Sequence, residues 1–378
     1  MNEFADLHDD LRAVARDLLG TTSDTVATTS DAAEGPTDWA RMADAGWLGL
    51  EVPEALDGSG ATFAETAVVA EEMGRAVTTS SYLGTAGLGV AALKSVVGSE
   101  ARDSLLRGAA AGSVRLAVAL APSGDDPLAD PPFRIESSGG SILLSGRAAF
   151  VVDATEADQL LLLAIDAAGD PALVNIDVGA VDSSAIDVGA VEVIDQPVLD
   201  ATRRFGVVVT DRVPISEQSV WTFDSEAPGI AAQRLADRGA VAVACDSFGL
   251  GAAMIDATVV YVAARHQFDR PIGSFQAVKH ACADMAVQQA IGRELLSAAV
   301  EAVATNEPDA WVAVARAKSF VCAAAVDIVG SAMQLHGGIG YTWESGIHRH
   351  LKRAVLNRTF FGSPVAHRRR LFASIGTR

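Results

Sequence analysis

Three long segments near the end of the chain carry alanine and other small or apolar residues at most positions. They cover residues 229–268, 275–304 and 309–338, and the last of them is ended by Gly337 and Gly338. Apolar side chains on so many faces leave little surface for water, so each segment is expected to form a closely packed helix. The sequence therefore predicts a helical bundle here, with a face that packs against another subunit.

The rest of the chain divides into two regions of different texture. Residues 1–112 are predicted to be helical, because apolar side chains recur there at helical spacing. Residues 113–222 contain short β-type runs separated by Gly, Asp and Pro clusters, which favour an antiparallel sheet or barrel. With residues 223–378, these regions predict a multidomain α+β protein. It has an N-terminal helical domain, a middle antiparallel β domain and a C-terminal four-helix bundle.

Charge and cysteine content restrict the class of protein. The chain has 29 basic and 48 acidic residues, a net charge of -19, which argues against nucleic acid or an anionic membrane as the primary partner. Residues 1–20 carry acids where a signal peptide needs basic residues, and no uninterrupted apolar run approaches a membrane span. Cys245, Cys282 and Cys322 lack metal or disulfide spacing, so buried thiols in a reducing cytoplasm are predicted.

The first motif with chemical potential is RHQFDRPIGSFQ, which contains Arg265, Phe268 and Gln276. It combines a guanidinium at a helix end, an aromatic ring, a Pro-Gly turn and an amide that opens the next helix. Such a corner can bind a phosphate and a nucleotide. It can equally be a helix–turn–helix corner whose Arg265 pairs with an acidic neighbour, and the residues alone favour this second interpretation.

The second motif is QLHGGIGYTWESGIHRHLKR, with Gln334 followed by Gly337, Gly338 and Gly340. Three glycines within four residues permit positive φ and bring main-chain N–H groups close to a ligand. The alternative is a helix end with an ordinary turn, and the residues leave both interpretations open. No metal site is predicted, because the scattered histidines lack a carboxylate that would complete a ligand set.

Together with the helical–β–helical order, these motifs resemble the two C-terminal signatures of the acyl-CoA dehydrogenase family. Residues 46–76 also resemble the family's N-terminal helical region. The resemblance implies FAD-dependent α,β-dehydrogenation of an acyl-CoA thioester, with an electron-transfer flavoprotein as a further partner. In that reaction a glutamate removes the α-proton while the β-hydride passes to the flavin.

The resemblance also indicates that the catalytic base is missing. Most members carry it 27 residues beyond the Gln of the second motif, and from Gln334 that position is Phe361. A minority carry it 26 residues before the Arg of the first motif, and from Arg265 that position is Gly239. Neither residue can accept a proton, so no catalytic residue is predicted. Asp237, two residues from Gly239, is a weaker alternative.

The family's contacts to the flavin ring are altered as well. A Thr-Glu-Pro-Gly-type loop corresponds to residues 119–126, and a Trp-Ile-Thr strand has Phe150 for its Trp and Val152 for its Thr. A Gly-Thr-Ser-Gln contact is replaced by residues 362–365. The retained elements are those that reach the FAD of the neighbouring subunit in the family. The predicted cofactor-binding residues are therefore Arg265, Phe268, Gln276, Gln334, Gly337 and Gly338.

This division predicts a base-lacking subunit that donates FAD-binding residues to a homologous catalytic partner. The arrangement resembles the α2β2 acyl-CoA dehydrogenases of actinobacterial steroid side-chain β-oxidation, and a polycyclic acyl group follows by analogy. One competing hypothesis is a homo-oligomeric flavoenzyme that uses Asp237 or performs other chemistry. Another is a flavin-free, CoA-binding scaffold protein.

Overall fold

The computed structural model describes residues 5–20, 39–121, 130–179 and 191–375. Within these residues the chain is helical at both ends and β-rich in the middle, which confirms the predicted fold class. The boundaries after residues 112 and 222 stay predictions.

The N-terminal part consists of several helices, of which Phe63–Ala76 is the most extensively buried. Helix α3 (Phe63–Ala76) begins at a capping box, in which the Thr62 hydroxyl accepts the N–H of Ala64 and the Glu65 carboxylate accepts the N–H of Thr62. These two bonds satisfy N–H groups that a helix start otherwise leaves unpaired. The elements are α1 (Ala5–Leu19), α2 (Trp39–Asp44), α3 (Phe63–Ala76), a π-helical segment (Leu83–Gly89), α4 (Val90–Lys94) and α5 (Glu100–Ala110).

The middle part is an eight-stranded sheet in the order β6-β7-β3-β2-β4-β5-β8, with β1 beside β4. Most neighbours are antiparallel as predicted, but β4 runs parallel to β1 and β2. The chain forms the β2–β3 hairpin between β1 and β4, so β4 returns in the direction of β1. The strands are β1 (Leu116–Ala119), β2 (Phe133–Ser138), β3 (Ser141–Val152), β4 (Gln159–Ile165), β5 (Pro171–Asp177), β6 (Val191–Asp195), β7 (Phe205–Ile215) and β8 (Val220–Thr222).

The C-terminal part contains the predicted long helices. Helix α6 lies at the centre and packs against α3, α7, α8 and α9. A two-stranded turn, β9 (His266–Gln267) with β10 (Arg270–Pro271), joins α6 to α7. The helices are α6 (Pro228–Ala264), α7 (Gln276–Ala304), α8 (Ala310–Leu335), α9 (Ile347–Thr359) and α10 (Pro364–Ile375).

Helices α3 and α6 cross with their main chains in contact. A Cβ added to Gly249 would lie 1.9 Å from the carbonyl oxygen of Glu71, and one added to Gly74 would lie 2.0 Å from that of Asp246. No side chain fits at either position, so glycine is required on both helices at this crossing. The small residues of the C-terminal segments thus serve close packing, as their sequence indicates.

A buried ionic cluster centred on Asp246 of α6 joins the three parts of the chain. Arg353 of α9 donates to Asp246 Oδ1 at 2.6 Å and to the Thr78 carbonyl at 2.7 Å. Arg203, just before β7, lies 3.1 Å from Asp246, and Asn357 donates to it at 2.6 Å. The two guanidinium groups keep the pKa of Asp246 below its ordinary value in spite of burial. The helical ends and the sheet are therefore connected through one carboxylate.

Helix α6 is the one helix in the described ranges that is long and apolar enough to cross a membrane, by length and composition alone. From the sequence, no uninterrupted apolar run of that length is expected. Half of the helix's most apolar window is buried inside the bundle. The helix also carries buried Asp237, Arg238 and Asp246, all of them paired. Those features are expected of a central core helix, in which charges find partners within the protein.

The three thiols are free. Cys245 and Cys322 are buried as predicted, whereas Cys282 of α7, which packs against the edge of the core, is only half-buried. Burial raises the pKa of the Cys245 thiol well above its ordinary value. A buried thiol with a raised pKa is a packing residue rather than a nucleophile.

Candidate functional site

The two positions at which the family places its base lie against each other. Gly239 is buried in the first third of α6, and Phe361 follows the end of α9 with φ of 56°. A Cβ on Gly239 would lie 2.6 Å from the Phe361 ring. The structure therefore brings together two positions that sequence reasoning treats as alternatives. Neither side chain accepts a proton.

Two buried side chains, those of Lys318 and His367, hold the loop that carries Phe361 through hydrogen bonds to its main-chain carbonyls. The Lys318 ammonium donates to the carbonyls of Asn357 at 2.8 Å and Gly362 at 3.0 Å, and the His367 ring donates from Nε2 to the Phe361 carbonyl at 2.8 Å. Burial lowers the pKa of Lys318, and it lowers the pKa of His367 to about 4, so His367 is neutral at pH 7.

Sequence reasoning missed this support for the loop. The signal that could have revealed it is Lys318 itself, a charged residue within the mostly apolar sequence of α8. A buried cation in such a helix needs acceptors within the fold, and here main-chain carbonyls provide them.

Asp237 forms a buried ion pair with Arg370. Arg370 of α10 binds both of its carboxylate oxygens, one of them at 3.0 Å, and the same guanidinium lies over the Trp311 ring. Burial raises the pKa of Asp237, and the hydrogen bond from Arg370 opposes that effect. Asp237 does not line the cavity described next. The geometry therefore gives no support to Asp237 as a replacement base.

A cavity of about 310 Å³ lies between the sheet and the N-terminal end of α6. Its walls come from β1, β3, β4, the first turns of α6 and the loop that carries Phe361. Among the described residues that line it, Gln233 is the one with a polar side chain. The described lining residues bring no acid, histidine or thiol into the cavity, so none of them offers a group for proton transfer.

The residues aligned with the family's flavin-ring contacts line this same cavity. Phe150 and Val152 lie in its wall, and residues 119–121 form another part of it. The N–H of Phe150 donates to Gln196 Oε1 at 2.7 Å and is therefore already used within the chain. The remainder of the 119–126 stretch, residues 122–126, lies outside the described residues.

The retained motifs meet at the opposite end of α6. Tyr261, one turn before Arg265, donates to the carbonyl of His336 at 3.2 Å, and their rings stack with centroids 4.3 Å apart. His336 directly precedes Gly337. This contact places the end of α6 beside the end of α8. All six predicted cofactor-binding residues are exposed along the resulting edge: Arg265, Phe268, Gln276, Gln334, Gly337 and Gly338.

Each of the three glycines on this edge has a different environment. Gly337 has φ of 63°, and Gly340 lies so close to the Met333 carbonyl that a Cβ would be 2.3 Å from it. A Cβ on Gly337 or Gly338 would meet nothing within 4 Å. Glycine is therefore favoured at position 337 by its positive φ and at position 340 by the close Met333 carbonyl. The space beside Gly337 and Gly338 is open to a ligand.

The side chains on the edge suit a polyanionic nucleotide. Arg265 has no carboxylate partner within the described part of the chain, which disfavours the interpretation of a simple helix corner. The Phe268 ring is 85% exposed and meets the Phe275 ring at nearly a right angle, with centroids 6.1 Å apart. Tyr341 donates to Gln334 Oε1 at 2.9 Å and orients that amide. A free guanidinium, an open glycine loop and an exposed ring are what a diphosphate and its nucleoside need.

Family models match most of the chain. The acyl-CoA dehydrogenase C-terminal domain matches residues 229–375, and the acyl-CoA dehydrogenase N-terminal domain matches residues 5–113. The chain belongs to the acyl-CoA dehydrogenase family. It is thus placed among oxidoreductases that act on acyl-CoA, and FAD is the cofactor that membership implies, as predicted.

Curated relatives cover nearly the whole chain. Acyl-CoA dehydrogenase IpdE2 of Mycobacterium tuberculosis is 30% identical over 342 residues, 89% of this chain and 86% of the relative. IpdE2 of Mycolicibacterium smegmatis is 29% identical over 341 residues, 90% and 88% of the two chains.

Solved structures have the same fold. A variant of the Tcur3481-Tcur3483 steroid ACAD has a TM-score of 0.83 at 28% identity and covers 99% of both chains. The ChsE4-ChsE5 complex from Mycobacterium tuberculosis has a TM-score of 0.82 at 23% identity and covers 98% of this chain and 97% of its own.

The described residues fit the two ends of FAD differently. The exposed edge offers a cation, open main chain and amides to the diphosphate and adenosine. The cavity offers Val152 without a hydroxyl, a Phe150 N–H already bonded to Gln196, and apolar walls. A flavin ring has polar heteroatoms that need partners when buried. Among the described residues that line the cavity, Gln233 is the one polar side chain that could serve those heteroatoms, so they fit the flavin ring poorly.

Proposed function

We propose that this chain is a non-catalytic subunit of a heteromeric, FAD-dependent acyl-CoA dehydrogenase. A homologous partner chain supplies the glutamate and the contacts to the flavin ring. This chain supplies the edge formed by Arg265, Gln276, Gln334 and the Gly337–Gly338 loop. The isolated chain has no turnover of its own.

The contact between Phe361 and Gly239 carries the proposal. Each is a position where the family can place its base, and each is occupied by a residue without a proton acceptor. The two residues pack so closely that a Cβ added to Gly239 would lie 2.6 Å from the Phe361 ring. A base must lie within hydrogen-bonding reach of the α-carbon. The described residues of the adjoining cavity provide none.

The distance between cavity and edge supports donation to a second chain. Gly239 and Arg265 are 26 residues apart along one uninterrupted helix and its end. At a rise of 1.5 Å per residue this corresponds to about 39 Å. An extended flavin adenine dinucleotide is shorter than that. A cofactor held by Arg265 therefore belongs to a ring site other than this chain's cavity.

Each residue of the edge has a role in this arrangement. The Arg265 guanidinium pairs with the diphosphate, and the open main chain at Gly337 and Gly338 allows its close approach. The amides of Gln276 and Gln334 bind the nucleotide portion. When bound, FAD supplies the acceptor for the substrate's β-hydride. An electron-transfer flavoprotein is the class of partner that reoxidises it.

The proposed substrate class and the proposed assembly are inferred from similarity to a solved structure. The Tcur3481-Tcur3483 protein has two named components and is described as a steroid ACAD. By that likeness we infer an α2β2 assembly and a bulky steroid side-chain acyl-CoA as the substrate. Both inferences rest on similarity rather than on a contact in this chain.

Separate and joint expression tests the proposal. The chain is purified alone and together with a homologous chain that carries Glu at either base position, and flavin content and acyl-CoA dehydrogenation are measured. We expect flavin and activity only in the joint preparation. A yellow, active homo-oligomer of this chain alone would contradict the proposal. A stable joint complex without FAD would favour a scaffold instead.

A further inference from the structure

A smaller cavity lies where helices α3, α6 and α9 meet the π-helical segment. Its volume is about 20 Å³, and Ala70, Met73 and Ala242 contribute to its apolar walls. One water molecule needs about 10–15 Å³ of such space, so this cavity has room for a single water and not for an organic ligand. The polar side chains that line it are those of Thr66, Ser80, Tyr82, Arg203, Asp246 and Arg353.

The Asp246 carboxylate on this lining is already fully paired. Arg353 donates to its two oxygens at 2.6 and 3.0 Å and uses a further N–H on the Thr78 carbonyl. Asn357 donates to the same carboxylate at 2.6 Å, and Arg203 lies 3.1 Å from it. A carboxylate accepts about four hydrogen bonds, so Asp246 has no position left for a further donor.

Two polar atoms of the lining are not fully paired. Arg203 Nε has no hydrogen-bond partner in the described part of the chain, although the Arg203 side chain is only 7% exposed. The Tyr82 oxygen is also buried and accepts no hydrogen bond from the described residues. Thr66, beside Tyr82, donates its one proton to Glu51 at 2.6 Å and cannot donate to Tyr82. A buried donor and a buried acceptor without partners are both costly.

The charges around the cavity favour a neutral ligand. Arg203 and Arg353 both pair with Asp246, and the carboxyl groups of Asp153 and Asp200 also act on the Arg203 charge. The two guanidinium groups are thus already opposed by acids of this chain. An anion in the cavity would be repelled by the Asp246 carboxylate that lines it.

We propose that this cavity binds one structural water molecule, which accepts the N–H of Arg203 Nε and donates a proton to the Tyr82 oxygen. Water is neutral, fits the volume and supplies both the acceptor and the donor that these atoms need. The Ser80 hydroxyl, on the same lining, is a further acceptor for its second proton. Arg203 lies just before β7 and Tyr82 just before the π-helical segment, so the water connects the sheet to the N-terminal part. The inference does not depend on the proposed function.

A high-resolution crystal structure of the full chain tests the site directly. We expect one ordered water about 2.9 Å from Arg203 Nε and about 2.8 Å from the Tyr82 oxygen. A cavity without density would overturn the proposal. Crystals grown in sodium bromide distinguish an anion from water, because bromide scatters anomalously and water does not. An anomalous peak in the cavity would overturn the proposal as well.

A tyrosine variant with a matched control tests the proposed bridge. Tyr82→Phe removes one partner of the water, and we expect the water density to be lost and the melting temperature to fall by a few degrees. Tyr341→Phe makes the same change at a side chain that is 65% exposed, and the water and the melting temperature should stay as in the native chain. Full water density in Tyr82→Phe would overturn the bridge. If Tyr82→Phe does not fold, the native and bromide crystals alone decide the outcome.

Discussion

The Phe361 ring lies against the main chain of Gly239, so a larger side chain at either position has to displace the other. Phe361 is held there by the His367 bond to its carbonyl and by Lys318 bonds to the neighbouring carbonyls. The loop therefore keeps a defined conformation although its side chain performs no acid–base chemistry. The two positions therefore form a packed contact rather than an open space.

This contact predicts strong coupling between the two positions. Gly239→Ala should lower the free energy of unfolding by about 1–3 kcal/mol, because the new methyl overlaps the Phe361 ring. In a Phe361→Ala background the same change should cost much less, with a coupling above about 0.5 kcal/mol in a double-mutant cycle. Urea unfolding of the four proteins measures it. Equal costs in both backgrounds would show that the ring does not restrict Gly239.

A new glutamate alone should not create an enzyme. Phe361→Glu places an acid at the family's usual base position, yet among the described residues of the adjoining cavity Gln233 is still the one polar side chain that could serve a flavin ring. A base without a positioned acceptor for the hydride gives no effective catalysis. We expect no acyl-CoA dehydrogenation by the purified variant with an artificial electron acceptor. Turnover above that of the native chain would contradict the assignment of the cavity as unsuited to flavin.

Asp153 makes the stability of the chain depend on pH. Burial raises its pKa to about 7, while the N–H of Gly84 donates to it at 2.9 Å. The folded pKa lies above the unfolded value of about 3.9. The stabilisation that protonated Asp153 provides is therefore complete below the unfolded pKa of about 3.9, and it is lost as the pH rises through the folded pKa of about 7.

Asp153→Asn should remove this dependence. We expect the variant to be more stable than the native chain, with a gain that is larger at pH 8 than at pH 5 by about 2 kcal/mol. Urea unfolding at the two pH values measures the difference. Asp170→Asn, at an exposed turn, is the control and should follow the native profile. A gain independent of pH would show that Asp153 does not titrate in this range.

Helices α3 and α6 pack with their main chains in contact at Gly249, whereas Gly330 of α8 has open space around it. Substitution by alanine is therefore expected to change stability in opposite directions at these two glycines. Gly249→Ala places a methyl against the main chain of Glu71 and Arg75, which cannot move aside unless the helices separate. We expect a loss of about 3 kcal/mol or more, or no folded protein. Gly330→Ala in α8 meets nothing within 4 Å and should stabilise by up to about 1 kcal/mol. Similar stabilities of the two variants would refute the close crossing.

Across the whole molecule, α6 separates two surfaces with different chemistry. Its first turns border the apolar cavity, and its end carries Arg265 on an exposed edge. The Asp246 cluster in the middle ties this helix to α9 and to the sheet. The two surfaces therefore keep a fixed separation, and a cofactor bound at one is not at the other.

Removal of the free guanidinium should weaken FAD retention in the assembled complex. Arg265→Ala loses a charge-assisted contact to the diphosphate, which corresponds to about a tenfold or greater loss in affinity. The flavin-to-protein ratio after gel filtration of the joint preparation measures it. Arg234→Ala, an exposed arginine at the other end of α6, should retain the native ratio. Equal retention by both variants would remove Arg265 from the FAD site.

Much of the fold could be predicted from local pattern. The Ala-rich segments predicted the long helices, and turn clusters predicted the strands, because periodicity and turn chemistry are properties of neighbouring residues. The direction of β4 was not predictable, since pairing with β1 and β2 depends on where the β2–β3 hairpin stands. The two motifs pointed to the residues of the exposed edge, but the packing of α6 against α8, with the Tyr261–His336 contact at its end, is what brings them together.

Residue identity at positions 361 and 239 is enough to exclude a proton acceptor at either family position, because a phenyl ring and a hydrogen atom cannot take a proton. The contact between those positions, the support from Lys318 and His367, and the pairing of Asp237 with Arg370 depend on residues distant in the chain. Such contacts arise only when helices α6, α8, α9 and α10 pack, since burial and partner choice are set by tertiary neighbours. The tertiary structure therefore decided that the base positions form a closed apolar contact and that the retained residues face outward.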